Sequence, residues 1–316
     1  MKKAVEQQPQ APPGVIATLT AGLELTTAHI WLIVLPIMVD LFYWLGPRLS
    51  IAQLAERNLA ALLEEPELQG AVTQLIDIAS QVNVLTGLSV PLIGIPALMS
   101  GAIPEKTPIP TQVYELNGAG LWLAVMVALT MVGLFLAALY LGTIGLAMKP
   151  VEEKPATLLA FGVAVLRSAV RLFGLGLIFL VILFMVWLPL LPIAFLVGIL
   201  AGSMFVLVML AGFVLVVTYL SLSVPGIVLN GRPLLRAVWE SVRLVHGNAL
   251  QTMNLLLIVI LIGGGTNLLW QLADDGSWLT MVSIVGHAFI STALAGAVFV
   301  FYRDRWAVEH GDTAAI

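Results

Sequence analysis

The chain contains no cysteine. Disulfide bonds, a thiolate nucleophile, cysteine-ligated zinc and iron–sulfur clusters are therefore excluded. Charge is also scarce, because Asp, Glu, Lys and Arg make up 10% of the 316 residues, whereas a soluble domain carries roughly 25%. The net charge of −4 gives no reason to expect nucleic acid as a partner. These absences point away from a soluble protein and toward a membrane protein.

Hydrophobic residues make up 60% of the chain, and the stretch from Leu172 to Gly231 contains no charged residue. As a helix rising about 1.5 Å per residue, that stretch would extend about 90 Å. This is enough for two crossings of a hydrocarbon layer ~30 Å thick, with a turn between them. The sequence therefore predicts an all-α polytopic membrane protein with six transmembrane helices, whose partner is the lipid bilayer.

Six apolar stretches are candidates for the spans. They are Ala28–Gly46, Leu121–Met148, Leu172–Leu191, Ile199–Leu222, Leu250–Gln271 and Leu279–Tyr302. Breaks between spans three and four are expected at four residues, namely Pro189, Pro192, Gly198 and Gly202. The stretch Val15–Thr27 is expected to be an amphipathic lead-in to span one. Residues 14–302 then form a single membrane domain between a disordered tail at 1–13 and a second tail at 303–316.

The positive charges predict an orientation. With both termini in the cytoplasm, eleven of the fourteen Lys and Arg residues lie inside, and only Arg48, Arg57 and Lys106 lie outside. An excess of positive charge on cytoplasmic loops is the rule for membrane proteins. We therefore expect a multi-pass protein of the cell membrane with a cytoplasmic N-terminus and a cytoplasmic C-terminus.

One segment outside the spans is long, residues 47–117, and is predicted to form an extracytoplasmic cap. Apolar periodicity predicts a helix from Ile51 and a second short helix at Ala71–Val82. Gly87–Gly101 is uncharged but too short to span. Two interpretations of this stretch remain open, a packed interfacial cap and a re-entrant element that lines a pathway.

Two other segments resemble each other, AVLRSAVRLF at Ala164–Phe173 and AVWESVRLV at Ala237–Val245. Each is predicted to form an amphipathic helix at the inner leaflet, immediately before a span that runs outward. The second lies within a predicted cytoplasmic amphipathic helix at 232–248. The similarity suggests repeated helical hairpins in parallel orientation.

The most distinctive stretch is VPGIVLNGRPLLRAVWESVRLVHGN, Val224–Asn248. It resembles a pattern in bacterial six-helix membrane proteins, the group of YciC-like proteins and of the membrane domain that precedes some glycerophosphodiester phosphodiesterases. The matching positions are Pro225, Gly231, Ala237, Ser241, Gly247 and Asn248. The resemblance implies a six-helix membrane fold without an assigned activity. It does not imply the phosphodiesterase, because no soluble stretch is long enough for that catalytic domain.

Polar residues inside a span are candidates for function. Asp40 is expected about 9 Å and His287 about 12 Å from the outer ends of their spans, by helical rise. Asn267 and Gln271 fall in the same outer third. These four residues are predicted to form a cluster that binds a proton, an ion or a headgroup. The alternative is that Asp40 reaches the headgroups or has a structural partner.

The motifs needed for most enzymes and metal sites are missing from the sequence. The four histidines have no metal-ligand spacing, and no catalytic serine, zinc-protease or P-loop pattern occurs. We expect no cofactor and no metal. A non-enzymatic scaffold, assembly or envelope-homeostasis protein is the leading interpretation. A transporter or a permease subunit with an ATPase partner is the alternative, and an intramembrane enzyme acting on lipid is the third.

Overall fold

The computed structural model of the chain describes residues 13–65, 67–101, 107–273 and 276–310. About 79% of it is helical. In this part of the chain the helices are α1 (Val15–Ala28), α2 (Val34–Leu45), α3 (Ala52–Leu59), α4 (Gln69–Gln81), α5 (Ala119–Met148), α6 (Leu158–Leu220), α7 (Ser223–Leu229), α8 (Leu234–Gly247), α9 (Ala249–Trp270) and α10 (Thr280–His310). Two three-residue strands, β1 (Arg48–Ser50) and β2 (Val113–Glu115), complete the regular structure together with short 3₁₀ turns.

Five helical stretches are long and apolar enough to cross a membrane. They are Ala119–Met148, Leu158–Met185, Leu207–Leu229, Ala249–Trp270 and Thr280–His310, with mean hydropathy from 1.8 to 2.4 in their most apolar windows. A sixth span results if α1 and Ile30–Leu45 count as one bent span. The chain is therefore an all-α polytopic membrane protein, as the sequence predicts.

The first span is not the single helix predicted for Ala28–Gly46. The α-helix ends at Ala28, and His29 leaves the helical region with φ −130° and ψ 58°. A four-residue 3₁₀ turn and the twelve residues of α2 follow, which together reach about 26 Å. That length falls just short of a ~30 Å hydrocarbon layer. The predicted lead-in is present as α1, a separate helix on the other side of a sharp bend.

Spans three and four are both present, within Leu158–Met185 and Leu207–Leu229, but the backbone between them is helical without the predicted end, because α6 runs from Leu158 to Leu220. A proline inside a helix removes one backbone hydrogen bond and kinks the helix. The helix is not straight, because residues from both of its parts contact α8. Gly174 lies against Leu234 at the start of α8, and Ser241 in the same helix donates to the Tyr219 carbonyl at 2.7 Å. A straight helix would place Gly174 and Tyr219 about 68 Å apart.

Ala164–Phe173 is part of α6 and not a separate helix, so the two similar segments differ in structure. Only the second is an independent helix, α8, which is followed by a break at Asn248. The serine at the equivalent position is buried in both segments, as Ser168 and Ser241. The two segments therefore share a buried serine, but they do not share helix boundaries as the predicted repeat requires.

The segment at 47–117 contains the two predicted helices, as α3 and α4, and a strand pair that was not predicted. β1 and β2 are parallel, with Arg48 opposite Val113 and Ser50 opposite Glu115. Parallel strands require a long crossover connection, and α3 and α4 lie within it. Three-residue strands are too short to produce an alternating pattern, and for that reason no strand is indicated in this part of the sequence.

By contacts the chain divides into two units. One combines the chain up to Ala28 with Leu141–Leu261 and the chain from Ala293 onward; the other combines His29–Tyr140 with Ile262–Thr292. In the first, Phe301, Ile227 and Leu172 are fully buried. In the second, Trp44 is fully buried and its ring meets the Trp278 ring edge to face.

α1 packs very closely on α10 within the first unit. A Cβ added to Gly22 would overlap the Ala293 carbonyl and lie 2.6 Å from the Ala297 nitrogen. Thr18 and Thr26, one helical turn before and after Gly22, are also fully buried. α1 therefore has a tertiary packing role beyond that of a lead-in.

α10 continues past Tyr302, the predicted end of span six, to His310. Asp304, Arg305 and Ala307 are buried there, so the first part of the predicted tail at 303–316 is packed. The predicted tail at 1–13 falls outside the described residues except for Pro13, and residues 311–316 also fall outside them.

Candidate functional site

Asp40, the first member of the predicted polar cluster, is fully buried in α2. Its Oδ1 accepts the backbone N–H of Met99 at 2.8 Å, at a 3₁₀ turn that spans Leu98–Ser100. Its Oδ2 is buried and has no hydrogen-bond partner among the described residues. Asp40 therefore caps a turn that is distant in sequence, and this agrees with the structural alternative given for it.

The stretch Gly87–Gly101 is attached to two helices of the same unit. Ser89 Oγ lies 3.0 Å from the Tyr43 hydroxyl in α2. The Leu88 backbone lies so close to Gly133 of α5 that a Cβ on the glycine would approach the Leu88 Cα to 3.0 Å. Together with the bond between Asp40 and Met99, these contacts favour the packed-cap interpretation of the stretch.

The other three predicted members lie on α9, just after it, and on α10. His287 is 8% exposed; its Nε2 lies 3.3 Å from Ser291 Oγ, and its Nδ1 has no partner among the described residues. Asn267 Oδ1 is buried and likewise without a described partner. Gln271 is exposed. In the described part of the chain, no side-chain hydrogen bond or ion pair joins Asp40, His287, Asn267 and Gln271 to one another; the Gln271 backbone N–H donates to the Asn267 carbonyl at 3.1 Å.

Trp270 is a polar group of this region that the sequence analysis did not include. Its ring lies against Gly286, where a Cβ would approach it to 2.5 Å, and its Nε1 is buried without a described partner. Asn267 lies one helical turn before it, and His287 follows Gly286. The available signal was the spacing of three between Asn267 and Trp270, which places both on one side of α9.

The six residues of the family-like motif lie in α7, α8 and the turns that flank them. Pro225 is buried in α7, and Ala237 is buried in α8. Gly231, in the turn, has φ +60°, which glycine adopts without strain. Its carbonyl accepts the Arg171 Nη1–H at 2.7 Å.

The remaining motif residues fix α8 at its other end. Ser241 is fully buried and donates to the Tyr219 carbonyl. Asn248 ends α8 through its backbone N–H, which donates to the Leu244 and Val245 carbonyls at 3.1 Å. Its own carbonyl accepts from Thr252 in α9. A Cβ on Gly247 would meet nothing within 4 Å.

A charged cluster surrounds Glu240, which is 7% exposed. Its Oε2 lies 3.2 Å from Arg232 Nε and its Oε1 lies 3.0 Å from Arg236 Nε. Arg232 also lies over the Trp306 ring, 5.5 Å from its centroid. Next to it, Asn230 donates to the Tyr302 hydroxyl at 3.1 Å. Arg236 belongs to the same helix as Glu240, whereas Arg232, Trp306 and Tyr302 come from other elements.

The opposite side of α8 is exposed. We call the side chains of Leu235, Arg236, Trp239, Arg243 and His246 the exposed α8 face. Leu235 is 75% and Trp239 is 68% exposed. The buried side carries Ala237, Glu240, Ser241, Leu244 and Val245. Glu240 is the charged residue of the buried side, where Arg232 from outside the helix pairs with it.

The described residues contain no group of three or more His, Asp or Glu side chains placed to hold a metal ion. The expectation that the chain has no metal and no cofactor stays a prediction. The chain matches no protein-family profile, no curated protein and no solved structure. The resemblance of Val224–Asn248 to the YciC-like group therefore also stays a hypothesis.

Proposed function

We propose that this chain is a non-enzymatic protein of the bacterial cell membrane, a scaffold or assembly factor that binds a protein partner through the exposed α8 face. The observation that carries the proposal is the division of α8 into a fixed side and an exposed side. A docking element needs a rigid base and a recognition surface, and α8 has both.

The base is held by polar contacts from several elements. Ser241 bonds to the Tyr219 carbonyl at the end of α6, and Glu240 pairs with Arg232 from the preceding turn. At the edge of the exposed α8 face, Arg243 adds an ion pair to Glu309 of α10. A charge-assisted hydrogen bond is roughly twice as strong as a neutral one. These contacts therefore support an α8 that keeps one orientation.

The recognition surface has the composition of an interface centre. Trp and Arg are enriched among residues that contribute most to protein–protein binding. Trp239 lies between Leu235 and Arg243 on the exposed α8 face, so an aromatic anchor has an apolar and a charged neighbour. An amphipathic helix that rests on headgroups has a related composition. The experiment below distinguishes the two.

The side of the membrane is part of the proposal. The excess of Lys and Arg that predicts cytoplasmic termini also assigns α8 to the cytoplasm. A partner that binds α8 would then be a cytoplasmic protein or the cytoplasmic part of another membrane protein. The resemblance to YciC-like proteins is compatible with this arrangement and with a role without catalysis.

A transporter or permease subunit is the second candidate, and a different observation favours it. Three buried polar atoms in α9 and α10 have no hydrogen-bond partner among the described residues. They are Asn267 Oδ1, Trp270 Nε1 and His287 Nδ1. Polar groups within a span often mark a substrate pathway. In such a protein the exposed α8 face would be the coupling surface for an ATPase.

A photo-crosslinking amino acid at position 239, in the full-length protein in living cells, tests the proposal. The matched control is position 268, where Leu268 is as exposed as Trp239 but lies in an apolar span. We expect a discrete protein adduct from position 239 and only lipid adducts from position 268. An adduct with an ATPase would favour the permease. Lipid adducts alone from position 239 would contradict the scaffold.

A further inference from the structure

Arg305 in α10 is a buried cation whose hydrogen bonds are incomplete. It is 3% exposed, and its Nε and Nη1 have no hydrogen-bond partner among the described residues. Its Nη2 donates to the Pro13 carbonyl at 3.0 Å and to Gln251 Oε1 at 3.1 Å. Burying an ion with unsatisfied donors costs several kcal/mol, by order of magnitude. The guanidinium therefore has two donors left for a further acceptor.

The neighbouring carboxylates are occupied elsewhere. Asp304 accepts from Arg303, with Nε at 3.0 Å and Nη2 at 2.9 Å. Glu309 pairs with Arg243. Arg305 forms no ion pair in the described part of the chain, and its other close contact is the Phe301 ring, 3.7 Å from the Arg305 Cζ.

Two helices begin next to this guanidinium. Pro13, whose carbonyl accepts from Arg305, lies two residues before α1 starts at Val15. Gln251, the other acceptor, is the third residue of α9. The first N–H groups of a helix have no intrahelical partners, and its N-terminus carries about +0.5 of an elementary charge. Two helix N-termini and the Arg305 guanidinium therefore lie close together. Among the described residues, no carboxylate forms an ion pair with this guanidinium.

Among the described residues there is open space at the start of α1. Gly14 is exposed, and a Cβ built on it would meet nothing within 4 Å. Gln251 is also exposed. Helix N-termini with an adjacent arginine bind phosphate, because N–H groups and guanidinium offer several donors to its oxygens.

We propose that Arg305 and the N-termini of α1 and α9 form a binding site for the phosphate of an anionic membrane lipid. Both helices precede apolar segments, so a headgroup at their starts would lie beside acyl chains. The site is independent of the exposed α8 face, and neither proposal depends on the other.

The test is lipid titration of the full-length protein in a phosphate-free detergent, followed by native mass spectrometry. The probes are dioleoylphosphatidylglycerol, dioleoylglycerol, which lacks the phosphate, and inorganic phosphate. We expect the wild-type protein to bind one phosphatidylglycerol in preference to dioleoylglycerol. Equal binding of both lipids would overturn the proposal. If inorganic phosphate bound without displacing phosphatidylglycerol, the assignment of the site to a lipid phosphate would be overturned.

Two pairs of variants identify the site. Arg305→Gln should weaken phosphatidylglycerol binding about tenfold or more, since a charged donor is lost, while Arg57→Gln, which removes an exposed arginine of α3, should not. Because Arg305→Gln removes a buried group and can unfold the protein, Gly14→Asp and Gly14→Asn form the second pair. Both side chains cap a helix well, but only Asp repels phosphate. We expect weaker binding for Gly14→Asp alone; equal binding by both would contradict the site.

Discussion

Asp40 and Met99 are 59 residues apart in the sequence, and the Asp40 carboxylate accepts the Met99 backbone N–H at 2.8 Å. Asp40 lies in α2, and Met99 lies in the uncharged stretch Gly87–Gly101. A buried side chain that was a candidate for intramembrane chemistry is therefore an attachment point for that stretch. Its role can be tested through stability and local protection.

Asp40→Ala should lower the free energy of unfolding by about 1–3 kcal/mol, because the buried Met99 N–H loses its acceptor. Asp40→Asn keeps an acceptor oxygen and should cost less. Unfolding in mixed detergent micelles measures both, and protease cleavage within Gly87–Gly101 reports the detachment. Exposed Glu24 supplies the control, Glu24→Ala. Equal stability of wild type and Asp40→Ala would contradict the attachment role.

Gly22→Ala should destabilise the protein by about 1–3 kcal/mol, since overpacking at a close helix contact forces the backbones apart. The Cβ would overlap the Ala293 carbonyl. The matched control is Gly212→Ala in α6, where a Cβ meets nothing within 4 Å and helix propensity favours alanine by roughly 1 kcal/mol. Thermal unfolding of the two variants in detergent should shift in opposite directions. If Gly22→Ala did not lower the unfolding temperature, the close packing of α1 on α10 would be contradicted.

Gly231→Ala should cost about 1–2 kcal/mol, because an L-residue with a Cβ is strained in the left-handed region. Gly231→Asn should cost less, since asparagine tolerates that region. Gly247→Ala, at a position with open space, serves as the control. If Gly231→Ala and Gly231→Asn were equally stable, backbone conformation would not explain the glycine in this turn.

Glu240 should couple strongly to Arg232 and weakly to Arg236. Both pairs are within 3.2 Å, but the Arg232 side chain is 22% exposed and that of Arg236 is 61% exposed. Exposed ion pairs contribute about 0–1 kcal/mol, whereas a buried charge that loses its partner costs more. Double-mutant cycles with Glu240→Gln measure both couplings. A larger coupling to Arg236 would reverse our ranking.

The sequence was informative where a property belongs to one segment and less so where it depends on partners. The apolar stretches predicted the spans, and local periodicity predicted α3 and α4. The amphipathic pattern at 232–248 does not indicate that Glu240 is buried, because its partner Arg232 comes from outside α8. Asp40 was predicted to lie at a similar depth to His287 and to join it in a polar cluster. Its partner is instead the Met99 backbone N–H, and a backbone group has no signature in the sequence. Arg303-Asp304-Arg305 was interpreted as tail charge, although Arg305 is buried between two helix starts.

The predicted orientation is the basis of the proposed function, and the absence of cysteine makes it directly measurable. Single variants Tyr114→Cys and Trp239→Cys place a thiol at two exposed positions separated by three candidate spans. In intact cells a membrane-impermeant maleimide should label position 114 and should label position 239 only after permeabilisation. Labelling of position 239 in intact cells would place α8 outside the cytoplasm and would contradict the account of α8 as a cytoplasmic docking helix.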